Sequence, residues 1–152
     1  MEIRVAQSIG IASPSADPTS AGWAHETPRL MATWARHEEE VREAQRLRYQ
    51  VFAQELGASL PSNPGLPAGL DIDRFDAHCE HLIVRTVEAD QTPSEVVGTY
   101  RVLTPAGAIQ AGCLYSDGEF ELAALDPYRH ELAELGRSCI ASSWRTGGVI
   151  ML

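Results

Sequence analysis

The longest apolar stripe of the chain predicts an amphipathic helix early in its structured part. After the acidic run His37–Glu40, apolar side chains recur at helical spacing, at Val41, Ala44, Leu47, Val51, Phe52 and Leu56. Acidic residues in a first turn interact favourably with the helix dipole, and Gly57 is a natural stop. We therefore expect the helix to begin in the acidic run and to end before Gly57.

One charged residue, Arg48, interrupts this stripe. It stands four residues after Ala44 and four before Phe52, on the side of the helix that should face the core. A buried guanidinium needs a carboxylate partner. A guanidinium that snorkels along the surface needs none. The spacing alone leaves both interpretations open.

Three aspartates, Asp71, Asp73 and Asp76, lie near the end of a loop rich in proline and glycine that spans residues 57–80. Long irregular loops inside compact domains are often functional. The aspartates do not form an EF-hand calcium loop, since the glycine and the distal glutamate are missing at the required offsets. The cluster can hold a cationic substrate, pair with Arg48, or belong to a solvated loop.

Four apolar segments have the composition of strands: Leu30–Trp34, His81–Val87, Val96–Thr104 and Leu132–Ile140. A polar stretch with a proline separates the second from the third, so these two are expected to form a hairpin. Residues 1–28 are rich in Ser, Ala, Pro and Gly without a sustained period, which predicts a flexible N-terminal extension before a domain over 29–152.

The last predicted strand carries Glu134 and Arg137. Positions three apart on a regular strand face opposite sides. Gly136 between them suggests a β-bulge, which would turn both side chains into one cleft. The alternative is a solvated ion pair on an open face. After the strand, Arg145, Gly147 and Gly148 form a turn of the kind that cradles phosphate, although an ordinary glycine turn is the more frequent use of such residues.

Composition excludes some functions. The net charge of −9 argues against nucleic acid, which needs a basic surface. No signal peptide and no apolar run long enough for a membrane span is present, and three cysteines fit free thiols, so a cytoplasmic location is expected. The spacing of His78, Cys79 and His81 matches no common zinc motif, so no metal site is predicted.

Taken in order, these segments resemble the ornithine acyl-ACP N-acyltransferases, also called hemolysin-like proteins, of the GNAT superfamily. The resemblance covers roughly residues 30–152. It is carried by Leu47–Phe52, Asp71–Leu82, Val97–Pro105, Tyr115–Phe120, Leu135–Cys139 and Trp144–Gly148. A more distant resemblance, to acyl-homoserine-lactone synthases, is carried by Arg48, Phe52, Asp73, Asp76, Arg101, Glu134 and Arg137, but the aromatic residue of that family after the Phe is replaced by Gly57 and Ala58.

The resemblance implies an α/β (α+β) fold, namely the N-terminal half of a GNAT domain, with a mixed, mainly antiparallel sheet and flanking helices. Its second cleft wall would follow Leu152, so a truncated chain with little activity of its own is expected. It also implies transfer of a 3-hydroxy fatty acyl group to the α-amine of ornithine, the first step of ornithine lipid synthesis. The alternatives are an acyl-homoserine-lactone synthase and a non-catalytic fragment that binds acyl carrier protein.

The resemblance further implies roles for particular residues. Glu134 is the candidate general base and acts with Arg137. The substrate-binding set would be Arg48, Phe52, Asp73, Asp76, Arg101 and Phe120, with Phe120 lining the acyl channel. Arg145, Gly147 and Gly148 would hold the phosphate of the donor. That donor would be the acyl-phosphopantetheine of acyl carrier protein, or acyl-CoA, with no permanently bound cofactor. Peripheral contact with membranes through the lipid product is a further expectation.

Overall fold

The computed structural model describes residues 29–60, 65, 67–88 and 93–145. Within them, four antiparallel strands form one sheet in the order β1-β2-β3-β4. The strands are β1 (Arg29–Trp34), β2 (Glu80–Val87), β3 (Pro93–Leu103) and β4 (Glu134–Ile140). The four predicted strands and the hairpin are confirmed, with small shifts at the strand ends. The predicted extension over 1–28 lies outside the described residues.

The helical elements lie between these strands, except the last, which follows β4. The described residues contain two α-helices, α1 (Glu38–Arg48) and α2 (Pro105–Ala111). A π-helical segment, Tyr49–Glu55, continues α1. Single 3₁₀ turns are formed by Asp76–His78, Tyr115–Gly118, Ala123–Tyr128 and Ser142–Trp144. The sheet with its helices is an α+β arrangement, as expected.

Helix α1 begins where the sequence predicts. The Glu40 carboxylate accepts the backbone N–H groups of Arg36 and His37, at 2.7 and 3.3 Å, and so caps donors that have no partner inside the helix. Three glutamates occupy the first turn, where the helix dipole favours negative charge.

The predicted single helix divides at Arg48. Beyond it the backbone widens into the π-helical segment, and Gly57, with a φ of 69°, ends it in the left-handed conformation that glycine favours. Val51 stays buried after this change, whereas Leu56 is 68% exposed. The predicted apolar stripe therefore leaves the core before its last member.

Buried side chains of the described residues form three core clusters. In the first, Leu47 and Val51 pack against Cys139 and Ala141 at the end of β4. Val84 and Val97 form the smallest. The third consists of Phe75, Leu103, Ala108 and Leu114. Among the described residues, no helix is long and apolar enough to cross a membrane.

Helix α2 was not predicted, although its sequence carries the signals. Thr104 caps its start by accepting the N–H of Gly107 at 3.1 Å, Pro105 follows at the first helical position, and Gly112 ends it with a φ of 80°. The missing side chain of Gly107 lets the helix approach the Asp76–His78 turn, because a Cβ there would lie 2.1 Å from the carbonyl oxygen of His78.

Candidate active site

Arg48 is the centre of a buried ion-pair network. Arg48 is completely buried, with 0% of its surface exposed. Nε donates to Asp71 Oδ2 at 3.0 Å, and Nη2 donates to Asp76 Oδ1 and Oδ2 at 2.8 and 2.9 Å. The expectation that Arg48 turns inward onto loop carboxylates is confirmed, because a guanidinium removed from water requires charge and hydrogen-bond partners.

Arg101 reaches the same loop from β3. Its Nη1 donates to Asp73 Oδ1 at 2.8 Å and to Asp76 Oδ1 at 3.2 Å, so Asp76 lies between two guanidinium groups. Burial alone would raise the pKa of Asp76, but Arg48, the N–H of Asp73 and Arg101 outweigh it and hold that pKa below its usual range. Asp76 is therefore a fixed anion that joins α1, the loop and the sheet.

His81 on β2 closes the network as a neutral imidazole. Burial lowers its pKa, more than the carbonyl and carboxylate of Asp76 raise it. Since Arg48 is only a donor, His81 Nδ1 accepts from Arg48 Nη1 at 3.4 Å, and Nε2 carries the proton that it donates to the Asp76 carbonyl at 3.1 Å. Sequence reasoning considered His81 only as part of a strand and as a rejected zinc ligand, so its place in the network was missed.

A β-bulge on β4 is confirmed. Thr99 pairs with Cys139 and Arg101 pairs with Gly136, so β3 advances two residues while β4 advances three. Arg137 in the bulge has a φ of 51°, which is uncommon for a residue with a side chain. The extra residue brings Glu134 and Arg137 to the wall of one cavity, whereas a regular strand would have separated them.

Arg137 lies at the edge of the ion-pair network with a loosely held guanidinium. Nε is 3.2 Å from Asp71 Oδ2, and Nη2 is 3.5 Å from Asp73 Oδ2. Both Arg137 Nε and Asp73 Oδ2 are buried and have no hydrogen-bond partner among the described residues. The guanidinium carbon lies 5.4 Å from the ring centre of Tyr115 and 5.9 Å from that of Phe52. Donors and acceptors here are thus left open to a ligand.

The cavity itself has a volume of about 50 Å³. Its polar wall consists of Arg101, Glu134 and Arg137, and its apolar wall is formed by Phe75, Leu103, Tyr115 and Leu135. Leu135 is 57% exposed, so this side of the cavity opens to solvent. A charged wall facing an apolar wall suits a small polar group joined to a hydrocarbon chain.

Cys79 also lines the cavity. Burial raises the pKa of its thiol to about 11. The thiol is therefore protonated near neutral pH, and a protonated thiol is a poor nucleophile. Cys79 is therefore unsuited to act as a covalent nucleophile near neutral pH.

The Glu134 carboxylate accepts three hydrogen bonds from one turn of the chain. Oε2 accepts the backbone N–H of Tyr115 at 2.6 Å, Oε1 accepts that of Ser116 at 2.9 Å, and Oε1 also accepts the Ser116 hydroxyl. These partners follow from the Tyr115–Gly118 turn, where the N–H groups of the first residues lack partners inside the turn.

Phe120 and Arg145, two further predicted site residues, do not line the cavity. The Phe120 residue is 63% exposed and does not line the cavity, because the backbone turns outward there and its N–H bonds to the Ser116 carbonyl at 2.9 Å. Arg145 donates to Glu55 Oε2 at 2.5 Å and to the Ile140 carbonyl at 3.0 Å. Gly147 and Gly148 lie outside the described residues.

Sequence reasoning underestimated two further residues. Asp71 was one of three clustered acids but was not singled out, although it is 1% exposed and receives Arg48. Tyr115 was noted only within a motif, although its ring contacts Phe75 at a centroid distance of 5.6 Å and Arg137 at 5.4 Å. The signal for Asp71 was its proximity to a buried arginine in need of a carboxylate.

Comparison with known proteins shows which family the chain resembles. Residues 47–152 match the family described as an acetyltransferase (GNAT) domain. The chain is 38% identical over 123 residues to an L-ornithine N(alpha)-acyltransferase of Agrobacterium fabrum, covering 78% of this chain and 41% of that protein. It is 35% identical over 119 residues to a protein of the same name in Rhodobacter capsulatus, covering 78% and 46%. The chain thus spans less than half the length of these relatives.

A solved structure gives a weaker likeness. The crystal structure of the AHL synthase LasI is 18% identical, with a TM-score of 0.49, over 80% of this chain and 58% of that one. A likeness of this degree supports no conclusion about activity.

Proposed function

Because the chain belongs to the acetyltransferase (GNAT) domain family, we propose that it forms part of an N-acyltransferase that acylates the α-amine of ornithine. The names of the relatives from Agrobacterium fabrum and Rhodobacter capsulatus support ornithine as the acceptor. The proposed donor is an acyl thioester on the phosphopantetheine of acyl carrier protein, and the acyl-ornithine product would enter ornithine lipid synthesis in the cytoplasm.

The observation that carries this proposal is an ion pair with unused hydrogen-bonding capacity, formed by Arg137 on the cavity wall and Asp73 at 3.5 Å from it. Arg137 offers guanidinium donors, and Asp73 Oδ2 is a buried acceptor without a hydrogen-bond partner among the described residues. An amino acid presents a carboxylate and ammonium groups, so it can satisfy both charges at once. Arg101 and Arg48 would hold Asp73 and Asp76 in place beneath it.

The reaction is aminolysis of a thioester. The amine nitrogen forms a bond to the acyl carbon, the carbon–sulfur bond breaks, the amine loses a proton, and the thiol leaves with one. Negative charge develops on the carbonyl oxygen, and backbone N–H groups on bulged β4 are the proposed donors to it. The apolar wall with Phe75 and Leu103 would receive the start of the acyl chain.

The proton of the amine has two proposed routes. Glu134, the base expected from the sequence, lines the cavity, and its Oε2, which accepts a single N–H from Tyr115, has a lone pair left to receive that proton. A water relay is the other route. For the phosphate of the donor, Arg145 together with Gly147 and Gly148 remains the proposal; Arg145 would have to exchange Glu55 for the phosphate.

The test is to identify the product by mass spectrometry. The purified protein is incubated with 3-hydroxyacyl carrier protein and ornithine, and in parallel with acyl-CoA as donor or with S-adenosylmethionine as acceptor. Formation of acyl-ornithine from the carrier protein supports the proposal. A homoserine-lactone product, or release of free fatty acid without any amide, contradicts it.

A further inference from the structure

The position of Glu134 differs from that of a free carboxylate poised to take a proton. Each oxygen already accepts a backbone N–H, from Tyr115 at 2.6 Å and from Ser116 at 2.9 Å, and the Ser116 hydroxyl adds a further bond. Hydrogen bonds to a charged acceptor are roughly twice as strong as neutral ones. The turn that Glu134 binds therefore occupies three of the roughly four lone-pair positions of this carboxylate.

The turn that Glu134 binds carries a wall of the cavity. Tyr115 is its first residue, and its ring lies 5.6 Å from the ring of Phe75, tilted by 62°. The same ring lies 5.4 Å from the guanidinium carbon of Arg137. Both Phe75 and Arg137 line the cavity. The orientation of the Tyr115 ring therefore affects the apolar wall and the open guanidinium together.

A second set of contacts holds this turn independently of Glu134. Asp117 Oδ2 accepts the N–H of Leu114 at 2.8 Å. Arg129 binds the same carboxylate with both terminal nitrogens, at 2.8 and 2.7 Å. Since Asp117 keeps these contacts, removal of Glu134 should free the amides of Tyr115 and Ser116 without unfolding the segment.

We propose that Glu134 is a positioning residue that fixes the Tyr115–Gly118 turn on β4 and thereby sets the Tyr115 ring against Arg137 for binding of the amino acid. This inference deepens the proposed function and rests on it for the identity of the substrate. The contact between the Glu134 carboxylate and the amides of Tyr115 and Ser116, called the clamp below, is a feature of the fold and can be tested without turnover.

The first experiment measures amide hydrogen exchange by NMR in the parent protein, Glu134→Gln and Glu134→Ala. The amides of Tyr115 and Ser116 should exchange about ten to a hundred times faster in Glu134→Ala, because each loses a charge-assisted hydrogen bond. Glu134→Gln keeps one acceptor oxygen and should show a smaller change. The amide of Leu125, which bonds to the Leu122 carbonyl, is the internal reference. Equal exchange of Tyr115 and Ser116 in all three proteins would overturn the clamp.

The second experiment separates positioning from proton transfer. If Glu134 acts through the Tyr115 ring, Glu134→Gln should raise KM for ornithine about tenfold. The variant should keep the acidic limb of the pH profile of kcat. In a double-mutant cycle, the loss of activity caused by Glu134→Gln should be small once Tyr115→Leu is present. Loss of that limb would make Glu134 the base and overturn the proposal. Losses of activity from the two substitutions that multiply fully would mean that Glu134 does not act through Tyr115, which would also overturn it. If the protein acylates no amino acid, the proposed function fails while the exchange data still decide the clamp.

Discussion

At the scale of single residues, Arg48 shows why a charge can stand in an apolar stripe. Its guanidinium is fully buried, yet Asp71 and Asp76 neutralise it and His81 occupies another nitrogen. The sequence predicted that a buried arginine would need a carboxylate, and three aspartates were the candidates. The distribution of those aspartates among Arg48, Arg101 and Arg137 depends on the path of the loop, which no local pattern encodes.

Replacement of Arg48 by methionine is expected to destabilise the fold by about 3–5 kcal/mol, because Asp71 and Asp76 would remain buried with less compensation. The measurement is the free energy of unfolding from urea titration. Arg46→Met is the matched control on the same helix; Arg46 pairs with Glu39 at the surface, so its loss should cost less than about 1 kcal/mol. Equal losses for the two variants would contradict the buried network.

His81 predicts a specific pH dependence of stability. Its pKa in the folded protein lies below the ordinary value of 6.5, so between these two values the unfolded chain binds the proton more readily. The contribution of neutral His81 to the free energy of unfolding is complete above about pH 6.5 and is lost as the pH falls toward the pKa of His81 in the folded protein. The unfolding free energy of the parent should therefore drop more from pH 7.5 to 5.5 than that of His81→Gln. The exposed His130 supplies the control, since His130→Gln should keep the drop of the parent.

At the scale of elements, the bulge in β4 was predictable from the sequence, and so was its consequence that Glu134 and Arg137 line one cavity. Gly136 between Glu134 and Arg137 indicated an extra residue, and the pairing of β3 with β4 contains it. The left-handed backbone falls on Arg137 itself and not on the glycine. The sequence points to glycine as the permissive residue, whereas pairing across the strands decides where the strain is placed.

Position 107 in helix α2 requires glycine because of a close contact with the Asp76–His78 turn. Glycine to alanine in a helix interior normally stabilises by up to about 1 kcal/mol. Here the added Cβ would lie 2.1 Å from the His78 carbonyl oxygen, and the backbone of α2 or of the Asp76–His78 turn must shift. Gly107→Ala should therefore lower the unfolding midpoint in urea.

The matched control for Gly107 lies in the same helix. Ala106 is exposed, so Ala106→Gly should cost only about 1 kcal/mol through backbone entropy. A Gly107→Ala protein that is more stable than the parent would show that α2 does not approach the turn as closely as described.

At the scale of the whole molecule, the ion-pair network joins parts of the chain that are distant in sequence. Arg48 belongs to α1, Arg101 to β3 and Arg137 to β4, and all three meet the aspartates of one loop. Periodicity predicted the strands and the first helix because those patterns are local. It missed the π-helical segment, because the backbone widens there to keep Val51 buried and Phe52 near Arg137, and both are tertiary contacts.

The cavity shows the same limit of local reasoning. The sequence predicted that Glu134 and Arg137 share one cleft, and both residues line the cavity. It also proposed Phe120 for the acyl channel; Phe120 is 63% exposed and does not line the described cavity, so that role stays a prediction. Residues held by regular pairing were therefore easier to place than residues in irregular turns.

The central claim is that the cavity beside Arg137 binds the amino acid that becomes acylated. The most direct measurement is kcat/KM for formation of acyl-ornithine from 3-hydroxyacyl carrier protein in the parent, Arg137→Gln and the surface control Arg46→Gln. The account predicts a loss of about ten- to a hundredfold for Arg137→Gln, because a charged hydrogen-bond donor to the substrate is removed, and no appreciable loss for Arg46→Gln. Equal kcat/KM in all three proteins would contradict it.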